Sequence, residues 1–225
     1  MLYIKDLDYS IDENIILEHL SFTIPEEEVT AIVGPNGVGK TTTVQLLAGI
    51  LQSKNESVKK LLLEKKVVYL DLEYLVFDEL TAKEFISLIA DYNNKTKLEV
   101  RTILSDFEPM NISSFLNTKL KGLSLGQKQK LIILTGFLSN ADVLIFDEPF
   151  NGLDYKSERF FKTLLRDNKY RFTIIITTHN FTDIETYTNK CIVMKNKNTI
   201  IEIDNSSMDT YREMLYTYLD LEQEA

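Results

Sequence analysis

The sequence predicts an α/β fold, a mostly parallel sheet with a helical block inserted in it, and three observations carry that reading. Short apolar runs at 29–33 (VTAIV), 143–146 (VLIF) and 172–176 (FTIII) have the make-up of strands buried on both faces. Helix-length segments separate them. Between residues 81 and 138 the alternation gives way to consecutive helical stretches, TAKEFISLIADY, KLEVRTILSDF, SSFLNT and GQKQKLIILTGFL.

Taken in order, YIKDLDYS, rich in Ile, Leu and Tyr, and LEHLSFTI, which alternates, read as strands, and VTAIV as a third that ends at Gly34. TTTVQLLAGIL, free of breakers as far as Gly49, predicts a helix. LLLEKKVVYL (61–70) reads as a further strand or strand pair. After the helical block, strands return at ADVLIF, at FTIII and in a hairpin over CIVMKNKNTIIEI, and a last helix is expected from Met208 to Leu221, ending in the acidic tail DLEQEA.

Composition sets limits. The 225 residues carry 25 basic and 34 acidic side chains, a net charge of −9, which argues against coating nucleic acid through phosphate neutralisation. Twelve Phe and eleven Tyr supply more apolar surface than a disordered chain has. A single cysteine, Cys191, precludes a disulfide framework and is expected in the core. No apolar run approaches the roughly 20 residues of a membrane-spanning helix, and the acidic start lacks the pattern of a secretory signal. A cytoplasmic chain is expected, peripheral to a membrane only through a partner.

The sharpest motif is GPNGVGKT at 34–41, followed by Thr42. Gly34, Gly37 and Gly39 let the backbone around Pro35, Asn36 and Val38 wrap so that several N–H groups face one phosphate chain, and the helix that follows aims its positive end the same way. Lys40 adds a full charge toward the terminal phosphates, and the Thr41 hydroxyl can ligate Mg2+. A glycine-rich turn with an incidental lysine is the plainer reading; a strand before it and a helix after it favour phosphate binding. The second motif is VLIFDEP. Ligands of open parallel sheets bind beyond the carboxyl ends of strands, which puts Asp147 where it can hold Mg2+ and Glu148 where it can deprotonate water. His179 closes a further apolar strand; His19, on an early strand, has no expected chemistry.

LSLGQ (123–127), FDEP, NGLD (151–154) and His179 follow the phosphate loop in fixed order, and with them the chain resembles the nucleotide-binding subunits of ATP-binding-cassette transporters over residues 1–203. Ser124 can also cap the helix that carries Gly126 and Gln127. The resemblance implies a single ATPase domain over 1–225. Its parts would be a P-loop NTPase core, an N-terminal antiparallel β subdomain and a helical subdomain at about 81–122. It implies ATP and Mg2+ as ligands, Glu148 and His179 as catalytic residues, and Ser124, Gly126, Gln127 and Asp154 as contacts to nucleotide held by a second nucleotide-binding subunit. The implied partner is a membrane-spanning permease subunit, with export favoured by NGLD after FDEPF and no nucleic acid expected. A soluble ATP-dependent switch on nucleic acid or ribosomes, and a regulatory module with little hydrolysis, are the alternatives.

Three positions depart from the family pattern. Ile11 stands where an aromatic residue stacks on adenine, with Tyr9 as a possible substitute. Leu72 stands at the position of a metal-touching glutamine, followed by Glu73, and Leu125 replaces the first glycine of the LSLGQ segment. Tyr74, Leu75 and Phe77 are candidates either for a docking surface or for core.

Overall fold

The computed structural model describes residues 1–204 together with Glu213 and Thr217; the expected helix at 208–221 and the acidic tail otherwise lie outside the described residues. Two strands, β1 (Leu2–Ile11) and β2 (Asn14–Ile24), pair antiparallel as a sheet of their own. The remaining strands are β3 (Val29–Val33), β4 (Val67–Leu70), β5 (Val143–Phe146), β6 (Thr173–Thr178), β7 (Lys190–Asn196) and β8 (Thr199–Asp204). They form a second sheet in the order β4-β5-β6-β3-β7-β8, parallel from β4 to β7 and closed by the antiparallel β7–β8 hairpin.

Period-two alternation divides this sheet between two cores. Ala31, Leu144, Phe146, Ile174 and Ile176 face a core filled largely by α5 (Leu125–Leu138) and by α6 (Tyr155–Asp167). Ile32, Val143, Ile145 and Ile175 face the other side. There they meet β1, β2, α1 (Lys40–Leu47) and α2 (Glu56–Glu64). Every residue of β3, β5 and β6 is buried. At about 1.5–3 kcal/mol for each large apolar side chain so buried, these strands are the rigid part from which the loops hang.

The helical block opens with α3 (Ala82–Tyr92) and α4 (Lys97–Asp106), each started by a capping box, Thr81 with Glu84 and Thr96 with Glu99. Short 3-10 turns follow up to Gly122; the helix expected over 113–118 is one of these, at Ile112–Phe115. One expectation is corrected. Residues 61–64 belong to α2, and the strand is confined to Val67–Leu70. The leucine run misleads because Val58 and Leu61 alone face the core, at helical spacing, while Leu63 is 87% exposed and Asn55 caps the helix.

Candidate functional site

The loop after β3 turns on Gly34, whose φ is +155°; a Cβ there would lie 2.4 Å from the Met194 carbonyl oxygen of neighbouring β7. Only glycine fits that approach. The chain passes through exposed Pro35, Asn36 and Gly37, folds Val38 back onto the core, and enters α1 at Lys40 from Gly39. No side chain caps α1. The other α-helices among the described residues each begin with one, from Asn55, Thr81, Thr96, Ser124 and Asp154. The first N–H groups of α1 are thus left for an anion. Lys40 is buried, and its ammonium donates to the carbonyls of Gly34 at 2.9 Å and Pro35 at 3.1 Å. Burial lowers its pKa; the negative charges of Glu148 and Asp147 pull the other way. Thr41 is exposed and Thr42 half-buried beside it.

Strand order explains the rest of the cluster. β6 lies between β3 and β5, so the phosphate loop, the acids after β5 and the histidine after β6 leave three adjacent strands at one edge. Nδ1 of His179 is 2.9 Å from Oε2 of Glu148, and His179 is half-exposed. Glu148 adopts φ +48°, a conformation that costs a non-glycine residue about 1–3 kcal/mol and is held by a hydrogen bond from its N–H to Thr177 Oγ1 at 2.9 Å. Asp147 accepts from Thr177 on one carboxylate oxygen and from the Tyr69 hydroxyl, at 2.9 Å, on the other. No cluster of three His, Cys, Asp or Glu able to hold a metal exists among the described residues. One carboxylate at Asp147 and one hydroxyl at Thr41 nonetheless suit a hard cation that draws its other oxygens from phosphates and water, as Mg2+ does.

Ser124, Gly126, Gln127 and Asp154 form a second group. Ser124 caps α5 in a reciprocal box: its N–H donates to Gln127 Oε1 at 2.9 Å and its Oγ accepts from the Gln127 N–H at 3.3 Å. A Cβ on Gly126 would lie 2.4 Å from the Gly152 carbonyl oxygen, so α5 begins pressed against the 151–154 loop. Asp154 caps α6 through the Ser157 N–H at 3.0 Å and pairs with Lys130 at 2.6 Å. The structure ties these residues to one another. Among the described residues no hydrogen bond joins them to 34–42.

Comparison with known proteins shows which family the chain belongs to. A family profile described as ABC transporter matches residues 17–151. The chain belongs to this family. The uncharacterized ABC transporter ATP-binding protein MJ1023 of Methanocaldococcus jannaschii is 28% identical over 85% of this chain and 73% of its own length. YxlF of Bacillus subtilis, likewise named an ABC transporter ATP-binding protein, is 30% identical over 87% and 68%. The zinc uptake system ATP-binding protein ZurA of Listeria monocytogenes is 27% identical over 90% and 85%. Among solved structures, an ATP binding subunit of an ABC transporter superposes with TM-score 0.81 at 22% identity, covering 97% of this chain and 98% of that one. The dimeric cassette MJ0796 superposes with TM-score 0.76 at 22% identity, covering 92% of this chain and all of the other. At these identities the superpositions speak for the fold.

In this ABC ATP-binding protein the departures fall as follows. Leu72 begins a 3-10 turn after β4 and packs on the core, while Glu73 is exposed. Ile11 is 51% exposed next to the β1–β2 turn, whereas Tyr9 is half-buried and packs against the core on that side of the sheet. Leu125 is exposed and overlies Gly152. Leu75 is core; Val76 and Phe77 are surface. Cys191 is buried, and His19 is exposed beside Asp8. Sequence reasoning passed over Tyr69 and Thr177. Tyr69 is the one hydroxyl of VVYL, but Thr177 is one of three threonines in TIIITT, and no local pattern sets it apart.

Proposed function

We propose that the chain binds Mg-ATP at 34–42 and hydrolyses it slowly, driving a membrane-spanning permease subunit as one of a pair of nucleotide-binding subunits. A single ATPase domain would carry this activity, with 81–122 as its helical subdomain. The observation that carries the reading is the meeting of Lys40, Asp147, Glu148 and His179 at the carboxyl edge of three adjacent strands.

Each role follows from position. The uncapped start of α1 and the loop N–H groups take phosphate oxygens, and Lys40 exchanges two neutral carbonyl acceptors for charged ones. Glu148 is the base for an attacking water, and His179, hydrogen-bonded to it, orients that water and the terminal phosphate. Thr41 and Asp147 would hold Mg2+, which when bound would supply positive charge against the phosphates. Ser124, Gly126, Gln127 and Asp154, which among the described residues form no hydrogen bond to 34–42, would meet nucleotide held by a second nucleotide-binding subunit; the MJ0796 cassette is dimeric.

Export, expected from NGLD after FDEPF, has no counterpart in the structure, and the zinc relative is named for uptake. The proposal therefore commits to energy coupling and leaves direction to the membrane partner. No helix among the described residues is long and apolar enough to cross a membrane, so that partner would supply the span. Leu72, partly buried against the core and unable to ligate a metal, favours slow turnover over fast, and the regulatory alternative is the limit in which turnover is nil.

Phosphate release from Mg-ATP by the purified chain, measured beside Glu148→Gln, tests this. Release well above the variant is expected, with the variant accumulating an ATP-bound dimer on size exclusion. Equal release from both would remove the hydrolytic reading and leave the regulatory one.

A further inference from the structure

We infer that Thr177 and Tyr69 are positioning residues that hold the two acids of the site, a proposal that rests on the Mg-ATPase reading above and deepens it. Thr177 is fully buried at the end of β6. Its one hydroxyl serves both acids: it donates to Oδ1 of Asp147 and accepts from the Glu148 N–H at 2.9 Å. Tyr69, on β4, donates to Oδ2 of Asp147 at 2.9 Å and lies 3.4 Å from Oδ2 of Asp71. Since β5 sits between β4 and β6, the Asp147 carboxylate is gripped from the strand on either side.

The chemistry of the grip matters. An ionised carboxylate has about four acceptor directions, and two hydroxyls occupy only two of them. Hydroxyls fix orientation without cancelling charge. Asp154 shows the contrast, its charge being met by the Lys130 ammonium. The grip leaves the other acceptor directions of Asp147 open to a divalent cation, which is what an outer set of partners around a metal ligand is for.

Burial alone does not produce such a bridge. Thr30, equally buried on adjacent β3, has no hydrogen-bond partner for its hydroxyl, so the sheet does not oblige its threonines to find one. Thr178, the next residue along, bonds locally to the Asn180 backbone. Thr177 alone of the three spans to a neighbouring strand and touches both acids. By bonding the Glu148 N–H it also stabilises the left-handed conformation that turns the following chain away from β5.

The test uses Thr177→Val, Thr177→Ser and Tyr69→Phe, with Mn2+ as the probe cation. Mn2+ affinity of each protein–ATP complex is read by electron paramagnetic resonance, and ATP affinity without divalent cation by titration in EDTA. Thr177→Val and Tyr69→Phe should each weaken Mn2+ binding about 10–100-fold, while Thr177→Ser stays near the parent. ATP affinity in EDTA should be unchanged in all three. Parental Mn2+ affinity in both Val and Phe variants would overturn the positioning role alone. Failure of the parent chain to bind Mn2+ with ATP would overturn the Mg-ATPase reading and this proposal together. Should Thr177→Val fold poorly, Tyr69→Phe, which removes one oxygen atom from a half-buried side chain, decides the matter.

Discussion

Two helix starts in this molecule are built in opposite ways. α1 begins at a glycine with no side-chain cap, while α5 begins in a closed exchange between Ser124 and Gln127. Both present a turn of backbone N–H groups and the positive end of a helix dipole. Only the first leaves them unspent by its own side chains, and only the first has a buried ammonium and two acids beside it. An uncapped helix start is costly unless something else pairs with it, so α1 is suited to a ligand in a way that α5 is not. α5 is complete without one, and an anion approaching it must compete with Gln127 or use the remaining first-turn donors.

The largest effect that would break this contrast is at α1. Lys40→Ala should lower ATP affinity about 100-fold, near the roughly 3 kcal/mol reached by hydrogen bonds to charged groups, as read by titration with a fluorescent nucleotide. Unchanged affinity would mean that the uncapped turn is not the phosphate site. A smaller effect is expected at α5. Ser124→Ala should cost about 1 kcal/mol in chemical denaturation, the usual loss of a cap, and reduce phosphate release while leaving ATP affinity of the single chain intact. A fall in that affinity would place the two helix starts in one site and erase the distinction.

The smallest expected effect concerns α6, which lies against the second start. Lys130, and then the Ser157 N–H, hold the Asp154 carboxyl well below its ordinary 3.8. A depressed acid contributes stability that is complete above the unfolded value and lost as pH falls through the folded one. The difference in urea midpoint between the parent and Asp154→Asn should therefore be full at neutral pH and shrink as pH drops below 3.8. Because Asp154 is half-exposed, added salt should shrink it too.

How legible all this was in the sequence depends on the range of the interaction. VTAIV, VLIF and TIIITT announce buried strands because every residue is apolar or β-branched, and GPNGVGKT announces its loop because glycine spacing is a local matter. LLLEKK misled, since three adjacent leucines look alike to a strand or a helix until Asn55 and the position of Val58 are weighed. The pairing of Glu148 with His179 was within reach, both being strand-end residues of a parallel sheet. The grip on Asp147 was not. It needs the order β4-β5-β6, which no local pattern encodes, and it rests on hydroxyls that a composition-based reading takes for ordinary strand residues.

The Lys40 ammonium, bonded to two carbonyls of its own loop, has a kinetic consequence. The loop is already drawn around the spot where a triphosphate would lie, so little chain entropy is left to surrender on arrival. Capture should then be set by diffusion and by shedding water from the incoming anion, with association rates that respond both to ionic strength and to solvent viscosity.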